Sequence, residues 1–508
     1  MSVISLDQAR PTAPLTGHVD VLIVGAGISG IGLGHYLVTK QPGRSFAMVD
    51  GREAIGGTWD LFRYPGIRSD SDLHTFGYAF KPWTSDNAIA DAHEILDYLR
   101  EVVRDDDLAR RIHFRHKVLR ADFSNRTARW TVTLESDGWQ WDVTCDVLFS
   151  ACGYYDYAGG YTPHFDGQQD FEGTIVHPQA WPEDLDYAGK KVVVIGSGAT
   201  AVTLIPAMAP TAEHITMLQR SPSYVMPLPR KDPIANGLRK VLPDEAAYRV
   251  TRKLNIGRQR LIYGASRRYP NQIRRLIRKF NVSALPEGYD VDTHFNPTYN
   301  PWDQRMCAVP DADLFRAISK GKASVVTDKI VRFTKTGILL ESGRELDADV
   351  IVTATGLNLQ AFGGITLTVD GQQVDLHECL AYKSMMLSGV PNFAFAIGYT
   401  NSSWTLKVDL VCEHLMRMLA YMDQHGYTTV VAVADDPTIA RRPLLDFSAG
   451  YVLRSLDSFP QQGDSGPWAV AMDYKSDRER LINGPVSDAA LRFSTADRAA
   501  VGPGAARA

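Results

Sequence analysis

Apolar residues in this chain gather in short runs that end on glycine. Val21-Leu22-Ile23-Val24 leads into Gly25-Ala26-Gly27-Ile28-Ser29-Gly30, and Val192-Val193-Val194-Ile195 leads into Gly196-Ser197-Gly198-Ala199-Thr200-Ala201. Four aliphatic residues without alternation predict a strand buried on both faces, and the glycine turn after it predicts entry to a helix. Two such units, Val19 to Leu37 and Lys191 to Met208, predict an α/β fold with two Rossmann-like dinucleotide-binding domains. Between Pro222 and Pro301 the period changes. Ile273, Leu276, Ile277 and Phe280 recur at i, i+3, i+4, i+7, which predicts an inserted helical subdomain. Short strand patterns return at Ser324 to Thr327, Gly337 to Leu340 and Val350 to Ala354. The expected organisation is therefore a discontinuous first domain of residues 1-160 and 357-508, a second of 161-222 and 301-356, and a helical insert over 223-300. Both ends, 1 to 17 and about 495 to 508, are expected to be loose tails.

The chemistry of the turns follows from their glycines. Gly25, Gly27 and Gly30 let the backbone turn tightly and approach a pyrophosphate at a helix N-terminus. Asp50, closing the next apolar run, can accept hydrogen bonds from ribose hydroxyls. Gly56-Gly57-Thr58-Trp59, with Tyr64 to Asp70, adds the close backbone and aromatic flanks that a large planar ring system needs. By itself it could be a plain loop, but with the first turn it resembles the FAD-binding half of class B flavoprotein monooxygenases, which implies FAD in the first domain. In the second, Gly196, Ser197, Gly198, Ala199, Thr200 and Ala201, with Val202 and Thr203 behind them, form the same device with alanine in third place. The strand that follows ends in Gln219-Arg220-Ser221 rather than an acid. An acid would repel a 2'-phosphate and a guanidinium can fork onto it, so NADPH is expected over NADH, with Arg220 and Ser221 as contacts. The alternative is that Arg220 is a solvated surface cation.

Bulk properties narrow the class without fixing it. A length of 508 residues exceeds what one core supports, which agrees with several domains. A net charge of -4 argues against a general nucleic-acid binder. Five cysteines without a C-x-x-C pair suggest neither disulfide framework nor zinc site, so no metal is expected and a reducing cytoplasm suits the chain. Neither a signal-peptide pattern nor an 18-residue uncharged apolar run is expected to act as a membrane element.

Phe171-Glu172-Gly173-Thr174-Ile175-Val176-His177-Pro178-Gln179-Ala180-Trp181-Pro182 fits F-x-G-x-x-x-H-x-x-x-W-P. With both glycine turns it resembles the class B flavoprotein monooxygenases of the Baeyer-Villiger type, and within them the ethionamide-activating subgroup. The resemblance runs over nearly the whole chain, through Gly56 to Asp72, His177 to Pro206, Tyr299 to Pro310, Thr353 to Gln360 and Gly398 to Lys407. It implies reduction of FAD by NADPH, addition of O2 at flavin C4a, and attack of the resulting peroxide on a ketone, with sulfides or thioamides as further substrates. It also implies that His177 is a hinge residue, supported by Trp181, and that Arg305 is the catalytic arginine, oriented by Asp70 or, in a shifted register, Asp72. Ser29, Thr58, Trp59, Asp60, Leu61, Arg68, Ser69, Asp70 and Val118 are carried over as FAD contacts. Many relatives have lysine before the catalytic arginine; here Gln304 stands there, so NADPH preference would lean on Arg220. Alternatives are a flavin monooxygenase acting mainly on sulfur or nitrogen, and a non-catalytic FAD- and NADP-binding protein.

Two features remain. Thr400 to Ser403 offers N-caps for a helix through Leu410, whose N-terminus could face the flavin N1 and C2=O or be an ordinary capped end. From Arg249 to Lys279 there are eleven Lys or Arg and no acid. A solvated face over a core stripe is the commoner reading; a weak peripheral membrane contact is the other. Oligomeric state is left open.

Overall fold

The computed structural model describes residues 14–304, 306–445 and 450–496. Its centre is a sheet of eleven strands. His18–Val24 lies between Phe46–Asp50 and Trp139–Ser150, parallel to both, with Val24 opposite Val49 and Ser150. Trp139–Ser150 then turns antiparallel into Arg129–Ser136, and that strand into Lys117–Ser124. Late segments of the chain enter the same sheet: Phe393–Phe395 pairs with Trp139–Ser150, and Thr366–Val369 with Lys117–Ser124. Val21, Leu22 and Ile23 are fully buried, as a strand covered on both faces requires.

The second sheet has five parallel strands in the order Ala323–Thr327, His214–Gln219, Lys191–Ile195, Val350–Thr353, Thr174–Val176. Its core closes with the helices Ala199–Met208 and Asp313–Ser319. Between the two sheets the chain crosses twice. The crossings pair with each other: Tyr155–Gly160 runs antiparallel to Leu357–Leu359, with Leu357 opposite Gly160 and Leu359 opposite Tyr155.

The helical insert expected over 223–300 carries one element besides helices. It opens with a strand, Val225–Leu228, which pairs in parallel with Cys307–Pro310, so strands form its stem and the helices span Pro233 to Phe295. Its longest helix, Asp244–Arg268, packs on the first domain. Tyr248 joins that domain's core, and Arg252, 7% exposed, pairs with Asp409 at 2.9 Å while donating to the carbonyls of His74, Thr75 and Gly77. The apolar stripe of the next helix is only partly covered: Ile277 is buried, whereas Leu276 and Phe280 are 45% and 43% exposed.

Candidate functional site at two glycine turns and the hinge between them

At the first turn Gly25 has φ +108°, and a Cβ there would lie 2.7 Å from the Ala151 carbonyl oxygen. A Cβ on Gly30 would overlap the Gly25 carbonyl, so the helix Ile28–Lys40 closes onto its own turn only with glycine in place. Gly27 faces Gly57, whose Cα would be 3.6 Å from a Cβ on Gly27, leaving a slot walled by bare backbone. The helix N-terminus at Gly27 has no side-chain cap. Asp50 sits beneath it, Oδ2 accepting from the Ala26 N–H at 2.8 Å and Oδ1 from the Arg52 N–H at 2.9 Å. Burial raises its carboxyl above the ordinary range, although part of the residue still meets solvent. Ser29 is buried and accepts from Trp404 Nε1 at 2.9 Å. A slot without Cβ atoms, an uncapped N-terminus and a carboxylate below it fit the pyrophosphate and ribose of a dinucleotide.

The residues after Gly57 divide. Thr58–Leu61 is a single helical turn. Trp59 packs edge-on to Phe76, and Asp60 pairs with Arg52 and with Arg63, the latter at 3.2 Å. Ser69 is buried, its hydroxyl donating to Ser71 O at 2.7 Å, and Asp70 lies beside Ser71 Oγ at 3.4 Å. Arg68 turns instead to the second domain and forks onto Asp313 at 2.5 and 3.3 Å. Val118 is in the hydrophobic core, so only its backbone is left for a ligand. Asp72, the alternative to Asp70, is committed elsewhere: it caps Thr75 and accepts from Asn255 and Gln259. Arg305 lies outside the described residues.

At the second turn Gly196 has φ +137° and a Cβ on it would overlap the Ala354 carbonyl, whereas Gly198 opens onto free space. Ala199–Met208 also starts without a side-chain cap. Ala201, Val202 and Thr203 are buried, so what a ligand meets here is backbone, Ser197 and Thr200. Ser197 Oγ reaches Ser223 Oγ at 2.8 Å and the Ser221 carbonyl at 3.4 Å. Arg220 is exposed at the end of its strand, with no acid of the described residues paired to it. The free fork beside an open glycine fits a 2'-phosphate. Tyr64, its hydroxyl pushed up to about 12 by burial, hydrogen-bonds Thr200 and so ties the first domain to this turn.

His177 stands where the crossings meet. Its Nδ1 accepts from the Gln179 N–H at 3.1 Å, which leaves the proton on Nε2 to be donated to the Gly356 carbonyl at 3.2 Å. Gly160, on the other crossing, packs so tightly that a Cβ would lie inside the imidazole. Gln179 Nε2 donates to the Asp156 carbonyl of that crossing at 2.8 Å. Burial holds the His177 pKa below the ordinary value, so the ring is a neutral donor and acceptor between two strands. Trp181, half-buried, packs the segment against the second domain's core.

A third helix N-terminus meets the first turn. The expected caps of Trp404–His425 all face elsewhere: Asn401 donates to Met472 O at 2.9 Å, Ser402 to Gln259 Oε1 at 2.8 Å, and Ser403 Oγ pairs with Thr75 Oγ1 at 2.7 Å. No side chain among the described residues caps the helix, which leaves its first N–H groups available, and the Trp404 indole in its first turn reaches Ser29.

Comparison with known proteins fits this geometry. Residues 23–88 match a model described as NAD(P)-binding Rossmann-like domain, and residues 78–236 one described as flavin-binding monooxygenase-like. The FAD-containing monooxygenase EthA of Mycobacterium tuberculosis is 53% identical over 481 residues, 94% of this chain and 98% of that one. The chain belongs to the FAD-containing monooxygenases. Within the same family the probable FAD-binding monooxygenase AlmA of Acinetobacter baylyi is 48% identical over 480 residues, 94% of this chain and 96% of the relative. Among solved structures, a steroid monooxygenase bound to NADP superimposes with a TM-score of 0.75 at 22% identity, covering 94% of this chain and all of the other. An open cyclohexanone monooxygenase gives 0.70 at 22%, covering 83% and 91%. This monooxygenase therefore shares their two-domain fold.

Several buried or half-buried groups around the helix Trp404–His425 were not read from the sequence. Trp404 closes over Ser29, and a Cβ on Gly398 would overlap its ring. Below the loop, Lys407 and Asp477 form a buried pair at 2.8 Å, and the Tyr399 hydroxyl donates to the same carboxylate at 2.8 Å. Burial lowers the Lys407 pKa. Lys407 in the largely apolar run Trp404 to Val411 was the available signal, since a charge buried in a helix needs a partner elsewhere.

Proposed function

We propose that this monooxygenase uses NADPH and O2 to insert one oxygen atom into ketones, giving esters, and that it also oxygenates sulfides or thioamides. The observation that carries the reading is the fingerprint segment. Its histidine touches both interdomain crossings and its half-buried tryptophan packs against the second domain's core, an arrangement that suits a hinge between a flavin half and a nicotinamide half. One solved structure of the same fold is a cyclohexanone-bound cyclohexanone monooxygenase, whose substrate is a ketone.

FAD would lie over Gly27 and Gly57, with its ribose at Asp50 and its ring toward the unspent N–H groups of Trp404–His425. NADPH would lie on Gly198, Ser197 and Thr200, with its 2'-phosphate at Arg220. When bound and reduced, FAD supplies the two electrons that activate O2. The chain's own part is to bring the two cofactors together and to hold charge. The Arg305 guanidinium, which does not give up its proton, would stabilise negative charge next to the ring, and Asp70 would orient it. Ser29 is buried, and with the half-buried Trp404 indole closing over it the pair would help exclude water that otherwise diverts the oxygen to peroxide. Five cysteines remain as free thiols, which suits a reducing cytoplasm.

The test is a methyl ketone and a thioether incubated with the holoenzyme, with and without NADPH, and analysed by mass spectrometry. Ester from the ketone, dependent on NADPH, is expected, with sulfoxide beside it. Sulfoxide alone would replace the ketone reading by a sulfur-oxygenating one. Release of peroxide as the sole product from both would overturn it. Arg305→Ala should keep flavin reduction by NADPH and lose ester formation.

A further inference from the structure

Large apolar side chains left in water are spread singly over most proteins. Here they are concentrated. Of the fourteen that are exposed among the described residues, all but Trp139, Val331 and Leu453 lie between Ile234 and Val282. On the helix Asp244–Arg268, Val250, Leu254 and Leu261 fall within about 40° of one another around the axis. They point away from Tyr248, Thr251, Arg252 and Asn255, which are buried against the first domain. On the next helix Leu276 and Phe280 are exposed as well.

Unpaired charge flanks this stripe. Of the eleven cations from Arg249 to Lys279, Arg252, Arg260, Arg267 and Arg278 are committed to Asp409, Asp473, Asp303 and Asp292. Arg249, Lys253, Arg258, Arg275 and Lys279 are exposed and pair with no acid among the described residues. Lys253 and Arg258 lie about 60 to 80° to either side of the Val250-Leu254-Leu261 stripe. An apolar ridge flanked by unpaired cations is complementary to one kind of partner. A second copy of the chain would bring the same positive charge to a two-fold contact and be repelled. An anionic bilayer accepts both components: apolar side chains sink below the headgroups while lysine and arginine reach up to the phosphates.

We propose that the outer face of the helices Asp244–Arg268 and Pro270–Ala284 is a docking surface for an anionic lipid bilayer, on which the enzyme lies without spanning it. No helix among the described residues is long and apolar enough to cross a membrane, as an interfacial mode requires. The proposal is independent of which substrate is oxygenated.

Flotation of the holoenzyme with vesicles tests it, using phosphatidylcholine alone against phosphatidylcholine with about one quarter phosphatidylglycerol. Binding to the anionic vesicles is expected, falling about tenfold or more when salt is raised to roughly 0.5 M. It should fall by a similar factor in Arg258→Glu/Lys279→Glu and in Leu254→Glu/Leu261→Glu. All these positions are exposed, so NADPH oxidation should stay at the parent rate in both variants. Absence of flotation with anionic vesicles overturns the proposal. So does equal binding to phosphatidylcholine alone that the charge reversals leave intact. Self-association abolished by Leu254→Glu/Leu261→Glu would also overturn it, by making a second copy the occupant.

Discussion

Gly160 and His177 show how far a single position can be constrained. Because a Cβ on Gly160 would occupy the imidazole, Gly160→Ala should force the ring out of the hinge and cost roughly 1–3 kcal/mol of stability by overpacking. Adding His177→Ala should return most of that stability, measured by urea unfolding, but not the NADPH-dependent turnover. His414 supplies a pH prediction. It is fully buried, its Nδ1–H donates to the Leu481 carbonyl at 2.7 Å, and burial pushes its pKa down to about 4. The unfolded chain, titrating near the ordinary value, takes up the proton first as pH falls. Stability from this group is therefore complete above about pH 6.5 and drains toward pH 4, a loss of roughly 3 kcal/mol. Urea midpoints at neutral pH and near pH 4.5 should converge in His414→Gln relative to the parent; an unchanged slope would sink the assignment. Residues of this kind differ in how visible they are. Gly25, Gly27 and Gly196 were legible because a missing side chain in a fixed pattern has few uses. His414 was not, because burial comes from partners far away in the chain.

The helix Asp244–Arg268 teaches the same at the level of an element. Its basic sequence pointed to solvent, yet Arg252 is buried and, with Asp409, fastens the insert to the first domain. Arg252→Met should leave Asp409 charged and unpaired in the interior, costing about 3–5 kcal/mol, and Arg252→Met/Asp409→Leu should recover most of it, as read from denaturant unfolding. Neither change touches the glycine turns, so retained FAD after purification checks that the effect is local. Strands of consecutive aliphatic residues, such as Val192 to Ile195, could be read directly. Val225–Leu228 could not. It contains Pro227, which counts against a strand, and its partner, Cys307–Pro310, lies about eighty residues on. The expected caps of Trp404–His425 failed for a related reason: Asn401, Ser402 and Ser403 each found a distant partner, and propensity sees only neighbours.

Across the whole molecule the two nucleotide folds were plain from two repeats of one signature, but their mutual placement was not, since it depends on the paired crossings and on Arg68. An arginine expected at FAD instead clamps Asp313, joining the domains by a largely buried fork. Asp313→Asn should leave FAD content unchanged and raise KM for NADPH about threefold or more, because a less ordered second domain binds its nucleotide from a smaller population. An unchanged KM would remove Arg68 and Asp313 from domain positioning. The pairing of the crossings goes further. Two separate tethers would permit yaw, roll and sliding; bonded edge to edge, they leave little but torsion about one pin, with the imidazole as its washer. On the proposed hinge reading, whatever occupies one half would bias the posture of the other, and thermodynamic reciprocity would make the influence equal in both directions.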